Sequence, residues 1–466
     1  MKVSGLGDEI YFEEILISKA ANRHSFCKFK QRVAEENLPL YQNSIGKNIG
    51  VELDNGRPIF FGEVTEILIE RTYQGSYAEV RATSSSLKTD ETKDRRIFQN
   101  PEKLFREIMN VERLKLKNCS LEVEDKLAAQ PCKEIILQDG ETNFEFLKRL
   151  AAWQGRRVWI NDTLRGKCAL QIATCSDESL NKISQEEIIR VKVGRRGKIQ
   201  IAELITAKYF ELGRLLKLGD VPGKFLIVGL EAYQERGIDR IRFELEEMQQ
   251  VEPSELLTRP AKLSAKVTDI SDDKNFGRLR VQFDIEDNDA KKMWLPYRTP
   301  YSGIIFMPEV GETVEVFYLN GAAYVVSTMR TKTLDEEFRN VKDKFFGNNR
   351  KQRIFFREKS LEIKSQETSI FMDEKKIVLS VGENKIVMDE QGISLKTGGV
   401  FKSDVAKDFE SKIGGSHSEQ IGKDFSSKVG GNFSEQAKDI LLKSGGKFEA
   451  TAGGAAKIKG SSVELG

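Results

Sequence analysis

The chain is short of the groups from which most active and metal sites are built. Only two of its 466 residues are histidine, His24 and His417, too few for a histidine-based metal site within one chain. Five cysteines, Cys27, Cys119, Cys132, Cys168 and Cys175, are odd in number and never spaced Cys-x-x-Cys, a pattern that suits free thiols in a reducing compartment. Net charge is almost absent, 74 basic against 72 acidic residues, so no global field draws the chain to nucleic acid or to an anionic membrane. Apolar runs stay under ten residues, too short for a membrane-spanning helix. Met1 to Glu14 holds Asp8, Glu9, Glu13 and Glu14 and few apolar side chains, unlike a signal peptide. These absences together predict a soluble protein made in the cytoplasm.

Catalytic signatures are missing as well. There is no phosphate-binding Gly-x-x-x-x-Gly-Lys-Ser/Thr, because Gly445-Gly446-Lys447 lacks the upstream glycine and the hydroxyl. Neither Gly-x-Gly-x-x-Gly nor Gly-x-Ser-x-Gly occurs, and no Cys/His pair stands in a known context. The basic cluster Lys192, Arg195, Arg196 and Lys198 reads as a solvated strand edge or turn. No catalytic, cofactor-binding or metal-binding residue is assigned, and the chain is expected not to be an enzyme. Its many carboxylates leave one alternative open, a cell-wall or glycan-degrading enzyme using an acid pair. His417 would meet an ion only if copies of it surrounded an oligomer axis.

What the sequence does have is a ladder of glycine pairs: Gly398-Gly399, Gly414-Gly415, Gly430-Gly431, Gly445-Gly446 and Gly453-Gly454. The steps imply a unit of about eight residues, and Lys407-Asp408-Phe409 returns as Lys423-Asp424-Phe425. An apolar residue recurs at every fourth position: Phe401, Val405, Phe409, Ile413, Ile421, Phe425, Val429, Phe433, Ala437 and Leu441, with His417 in the missing slot. Spacing of four drifts off a 3.6-residue helical face, and each helical glycine would cost about 1 kcal/mol relative to alanine. In an extended chain an even spacing keeps one face. The ladder therefore predicts β-structure with glycines at bends, where backbone passes close or takes φ > 0. One apolar residue in four cannot close a core within one chain, so the stripe Phe401, Val405, Phe409, Ile413, Ile421, Phe425, Val429, Phe433 and Leu441 is expected to be the core of a homo-oligomer, most simply a trimer. A flexible tail is the competing reading, against which the regular phenylalanines count.

Upstream the sequence is also mainly β. Residues 1–255 show β-branched and aromatic runs broken by Gly, Asn and Pro, including a hairpin signal at Asp54-Asn55-Gly56. The pattern predicts two small β-barrels with helices near 101–110 and 142–154, the latter capped by Thr142 with Glu145 three residues on and ended by Gly155. Residues 262–331 hold five short strands, which suits a barrel of the oligonucleotide/oligosaccharide-binding (OB) shape. Residues 332–353 are a charged connector with a helix expected over Asp335 to Phe346, and 354–466 form one elongated β-body.

Three strings carry a resemblance. Glu141-Thr142-Asn143-Phe144-Glu145-Phe146-Leu147-Lys148-Arg149-Leu150 resembles the hub helix of the VgrG family, the spike proteins of type VI secretion and their relatives in contractile phage baseplates. Ile59-Phe60-Phe61-Gly62-Glu63-Val64-Thr65 is similar to a strand of that hub. Gly277 to Phe283, Trp294-Leu295-Pro296 and, most specifically, Phe306-Met307-Pro308-Glu309-Val310-Gly311-Glu312-Thr313-Val314 resemble the family's barrel. The resemblance implies a homotrimer: a hub of two β-barrels per chain, an OB-fold neck and a C-terminal intertwined trimeric β-helix or prism. It implies a structural spike of a contractile injection system, joining the inner tube to a puncturing tip and driven through a target envelope when the sheath contracts. Its partners would be the tube protein, baseplate proteins, a separate PAAR-like tip and effectors, with no cofactor, no nucleic acid and membrane contact only through puncture. The family's valine-glycine octads are replaced here by Gly-Gly units. No His-x-His lies near the C-terminus for an iron-bound tip, no lysozyme-like insertion precedes the shaft, and no fused toxin is expected after Leu465-Gly466.

Overall fold

The computed structural model describes residues 1–7, 12–110, 119–163, 168–249, 252–256, 258–273, 277–285, 291–299, 306–329, 342–348 and 350–464. The chain divides into two units, Met1–Leu334 and Asp335–Gly466.

In the first unit, strand alternation dictates the core. Along Phe26–Val33 the side chains of Cys27, Phe29 and Val33 are buried while Lys28, Lys30 and Arg32 face outward, the period-two pattern of a half-buried strand. Strands of the N-terminal half, from Lys2–Ser4 to Gly75–Thr83, and of the later half, Ile188–Arg196 to Ile238–Glu247, belong to one twelve-stranded sheet. The two sets join where Phe12–Ala20 pairs antiparallel with Phe225–Glu235, from Ala20 opposite Gly229 to Leu16 opposite Tyr233. Asn48–Glu52 and Pro58–Thr72 are antiparallel neighbours around the Asp54-Asn55-Gly56 turn. Gly62 is needed for close approach, since a Cβ there would stand 2.5 Å from the Thr83 carbonyl oxygen.

A second core lies under the helix Asn143–Trp153, which has the capping box its sequence promises. Thr142 Oγ1 accepts from the Glu145 N–H at 3.1 Å, and the Glu145 carboxylate accepts from the Thr142 N–H at 2.9 Å. Gly155, with φ +63°, follows the end of the helix. Phe144, Phe146, Leu147 and Leu150 are buried, and the helix packs against Arg157–Asn161 of a three-stranded sheet completed by Cys168–Ala173 and Cys119–Val123. The helix expected near 101–110 is a single turn, Phe105–Ile108. Leu104 before it is extended (ψ 151°) and bridges to Pro131, so the chain is bound laterally where a longer helix would have begun.

The five strands expected downstream form one sheet in the order Leu295–Pro296, Arg278–Phe283, Ala261–Asp269, Thr313–Leu319, Ala322–Thr328. A parallel bridge between Tyr297 and Val325, with the Arg298 N–H donating to the Val325 carbonyl at 2.9 Å, brings its two edges together as a barrel. Val281, Phe283, Val314, Val316 and Tyr318 fill it, and Ile97, Ile135 and Leu137 pack against the same core. Buried Tyr318 donates its hydroxyl to the Ile135 carbonyl at 2.8 Å, which satisfies both groups out of water.

The second unit begins with a seven-stranded antiparallel meander, each strand pairing with the next: Lys344–Gly347, Gln352–Arg357, Ser360–Ser365, Thr368–Asp373, Lys376–Val381, Asn384–Asp389 and Gly392–Lys396. The helix expected over Asp335 to Phe346 is corrected where the structure describes it. Residues 335–341 lie outside the described residues, and Lys344–Gly347 is a strand. Phe345 and Phe346 point to opposite faces there, their ring centroids 6.1 and 6.0 Å from those of Phe355 and Phe356. Cross-strand aromatic pairing at period two overrides the charged, helix-like composition.

Candidate interaction surface

The meander sorts its side chains by face. One register row carries Phe346, Ile354, Ile363, Ile370, Leu379, Ile386 and Leu395 across all seven strands. The next row on the same face is Phe356, Leu361, Met372, Ile377, Met388 and Ile393. These thirteen side chains are all apolar, the second row ending at Lys344 opposite Phe356 on the first strand, yet none is buried in the single chain, and Ile393 is 75 % exposed. The other face is mixed. Phe355 is buried beneath the Arg357 guanidinium, 4.9 Å from its ring, and Ser369 and Ser380 hydrogen-bond at 2.7 Å. A fully covered Leu or Ile contributes about 1.5–3 kcal/mol, so covering a two-row face of this kind would contribute on the order of 10 kcal/mol per chain that the single chain does not realise.

Beyond Lys396 the described chain to residue 464 forms no helix and enters no sheet of its own. Bends fall at 398–399, 406–407, 414–415, 422–423, 430–431, 438, 445–446 and 453–454, so the backbone itself repeats every seven or eight residues. The glycine pairs sit at bends, as their spacing suggests. The expected φ > 0 does not occur, because none of these glycines takes a left-handed φ. For most of them, Gly414, Gly415, Gly430 and Gly431 included, a Cβ would meet nothing of the same chain within 4 Å. Phe401, Val405, Phe409, Ile413, Ile421, Phe425, Val429, Phe433 and Leu441 are all exposed, from 44 % at Ile421 to 78 % at Leu441. A single chain does not bring them together. His417 is exposed too, 4.0 Å from the Glu419 carboxylate.

Two polar constellations in the first unit escaped the sequence reading. His24 Nδ1 lies 2.8 Å from Ser86 Oγ and Nε2 lies 2.8 Å from Asp90 Oδ2. The residue types are those of a hydrolytic triad, but Ser86 is fully buried and its hydroxyl is also 2.6 Å from Ser84 Oγ, so no substrate carbonyl reaches it. The group is a clasp. Asp90 also accepts from the Thr142 hydroxyl at the head of the capped helix, and the His24 ring lies 4.0 Å from the Phe144 ring. Burial lowers the His24 pKa, Asp90 opposes that shift, and Lys148 adds to it. The second constellation is the buried ion pair of Lys19 and Asp162. Burial alone would lower the Lys19 pKa, and the adjoining Asp162 carboxylate more than offsets it, for a net upward shift. Neither pairing has a local sequence signal, since the partners are 66 and 143 residues apart. Among the described residues no three His, Cys, Asp or Glu side chains converge as a metal site, and no helix is long and apolar enough to cross a membrane.

Comparison with known proteins bears on both units. Residues 263–328 match the type VI secretion system/phage-baseplate injector OB domain family. No curated protein sequence matches the chain. Among solved structures, the E. coli c3393 protein superposes with TM-score 0.52 at 15 % identity, covering 71 % of this chain and 100 % of that one. It is described as a type VI secretion component similar to the T4 bacteriophage tail proteins gp27 and gp5. The half-lidded Francisella PdpA-VgrG complex gives TM-score 0.53 at 8 % identity over 85 % of this chain and 87 % of that one. Its lidded form gives 0.52 at 9 % identity, over 85 % and 78 % of the two chains. These matches are to structural tail and spike proteins. The chain has the fold of a VgrG-type spike protein, with the injector OB domain of type VI secretion systems and phage baseplates at residues 263–328.

Proposed function

We propose that the chain works as a homotrimeric hub and spike of a contractile injection system, a mechanical part with no substrate to turn over. Residues 1–255 serve as the hub beneath the inner tube, 262–331 as the neck, 332–353 as connector and 354–466 as the shaft. In the shaft, three copies lay the apolar meander faces and the stripe Phe401, Val405, Phe409, Ile413, Ile421, Phe425, Val429, Phe433 and Leu441 against one another around a common axis. The observation that carries this reading is the contrast between a backbone that bends every seven or eight residues and the exposure of its apolar positions, 44 % to 78 % along the stripe. Chain outside any sheet of its own, with an exposed phenylalanine stripe, is complete only when other copies supply both the ladder and the cover. Glycines with no neighbour in their own chain are then those at which another copy passes.

The implied partners are the tube protein, baseplate proteins, a PAAR-like tip and effectors, with assembly in the cytoplasm and delivery outward on contraction. Purification of contractile particles from the producing cell tests this directly. The chain should co-sediment with sheath and tube at three copies per particle, and deletion of 354–466 should abolish delivery while leaving tubes intact. Recovery of the chain only as a soluble species, free of tube and sheath, would contradict the reading.

A further inference from the structure

Cys119 and Cys168 begin two parallel strands of the three-stranded sheet, Cys119–Val123 and Cys168–Ala173, and stand directly opposite each other in its register. Neighbouring strands lie about 4.8 Å apart, which is inside the roughly 4.4–6.8 Å that separates the Cα atoms of disulfide partners. Residues opposite in a ladder also direct their side chains to the same face. Both cysteines are free and buried, and the Cys119 thiol donates to the Ser85 carbonyl oxygen at 3.7 Å. We propose that Cys119 and Cys168 are a dithiol–disulfide pair that closes when the protein meets an oxidising disulfide, cross-linking the helical insertion.

The two thiols are unequal. Cys119 lies on the edge strand of its sheet and retains 6 % exposure against 1 % for Cys168. The neighbouring Cys168 thiol lowers the Cys119 pKa, burial opposes this and Lys88 assists it, whereas Cys119 and burial push Cys168 up. Cys119 is therefore the attacking thiol and Cys168 the resolving one. The Cys119 thiolate attacks one sulfur of a disulfide such as oxidised glutathione, forming a mixed disulfide and releasing one thiolate. Cys168 then loses its proton and attacks Cys119 Sγ, forming the intramolecular bond and expelling the second thiolate. The two protons shed by the protein thiols end on the two released thiols, so one external disulfide is reduced for each one made. The closed loop runs from 119 to 168 and contains the capped helix Asn143–Trp153, so the bond restricts unfolding of that insertion. Cys27 and Cys132 differ in placement: Cys27 stands opposite Ile17 and Ala82 in its sheet, and Cys132 lies in no strand, so neither faces a cysteine across a ladder.

The test is a thiol count on the full-length reduced protein equilibrated with graded ratios of oxidised to reduced glutathione, alkylated after denaturation and mapped by peptide mass spectrometry. Free thiols should fall from five to three, with one cross-linked peptide pair joining Cys119 to Cys168 and a higher thermal midpoint. Cys168→Ser should trap glutathione on Cys119, and Cys119→Ser should take up none. Five thiols surviving at ratios that oxidise an exposed dithiol, or a cross-link mapping to Cys27, Cys132 or Cys175, would overturn the proposal. Because the wild-type count decides, a variant that fails to fold does not blunt the test.

Discussion

The two units solve the same problem in different ways. Met1–Leu334 buries its apolar side chains in three clusters of its own, one under the large sheet, one under the capped helix and one in the OB barrel. Among the described residues of Asp335–Gly466 only Phe355 is a buried apolar side chain, although that unit carries two apolar rows, one of them across all seven strands, and a phenylalanine stripe. The difference is one of topology. Strands that return in sheets and barrels can cover one another, whereas a single-layered meander followed by a run outside any sheet has no second layer to offer. On the proposed trimeric reading, stability in the first unit is a property of one chain and in the second a property of an assembly, so only the second should depend on protein concentration.

Four measurements would break or sharpen that comparison. The largest effect is expected for Phe409→Asp, which places a carboxylate from every copy beside the others in the shaft. It should cost upwards of roughly 5 kcal/mol per assembly, read as a lower thermal midpoint of the shaft transition with the hub transition unmoved. An unchanged shaft transition would mean that the stripe faces water. Next, Asp162→Asn strands the buried Lys19 ammonium and should destabilise the hub by about 3–5 kcal/mol. A Lys19→Met/Asp162→Leu double variant should recover much of that loss, and both effects should be independent of concentration. Tyr318→Phe leaves the Ile135 carbonyl unpaired and should cost about 1–3 kcal/mol in denaturant unfolding, again within one chain.

The smallest effect is on pH. The folded-state pKa of His24 is lowered, so unfolding takes up a proton in mildly acidic solution. The stabilising contribution of the neutral ring is complete above about pH 6.5, the ordinary histidine value, and is lost as pH falls from there toward the depressed folded value. Hub stability measured between pH 8 and 5 should show this decline in the wild type, and His24→Gln should flatten it. A decline of equal depth in the variant would assign it to other groups.

Much of this architecture was legible because its determinants are local. Thr142, Glu145 and Gly155 announce the longest helix among the described residues, and the Phe306 to Val314 string marks the turn where Gly311 adopts φ +93° before Thr313–Leu319. The eight-residue spacing of the glycine pairs survives as the spacing of backbone bends. What was not legible depends on distant partners. The join of the two hub strand sets is made by Leu16 to Ala20 against Gly229 to Tyr233, about two hundred residues away, and nothing in either segment names the other. Lys344–Gly347 sits in a charged stretch whose composition suggests helix, and only its aromatic partners on the next strand, about ten residues later, make it a strand. The His24 clasp and the Lys19–Asp162 pair are equally invisible, because single polar residues carry no period. The stripe was legible as a pattern, and in one chain its side chains stay exposed.

The most direct test of the central claim is the native mass of the full-length protein by light scattering across a range of concentrations. The account predicts three times the 52.8 kDa chain, held down to low concentration by the shaft and lost on removal of residues 354–466. A clean monomer at micromolar concentration, with the shaft region ordered, would contradict it.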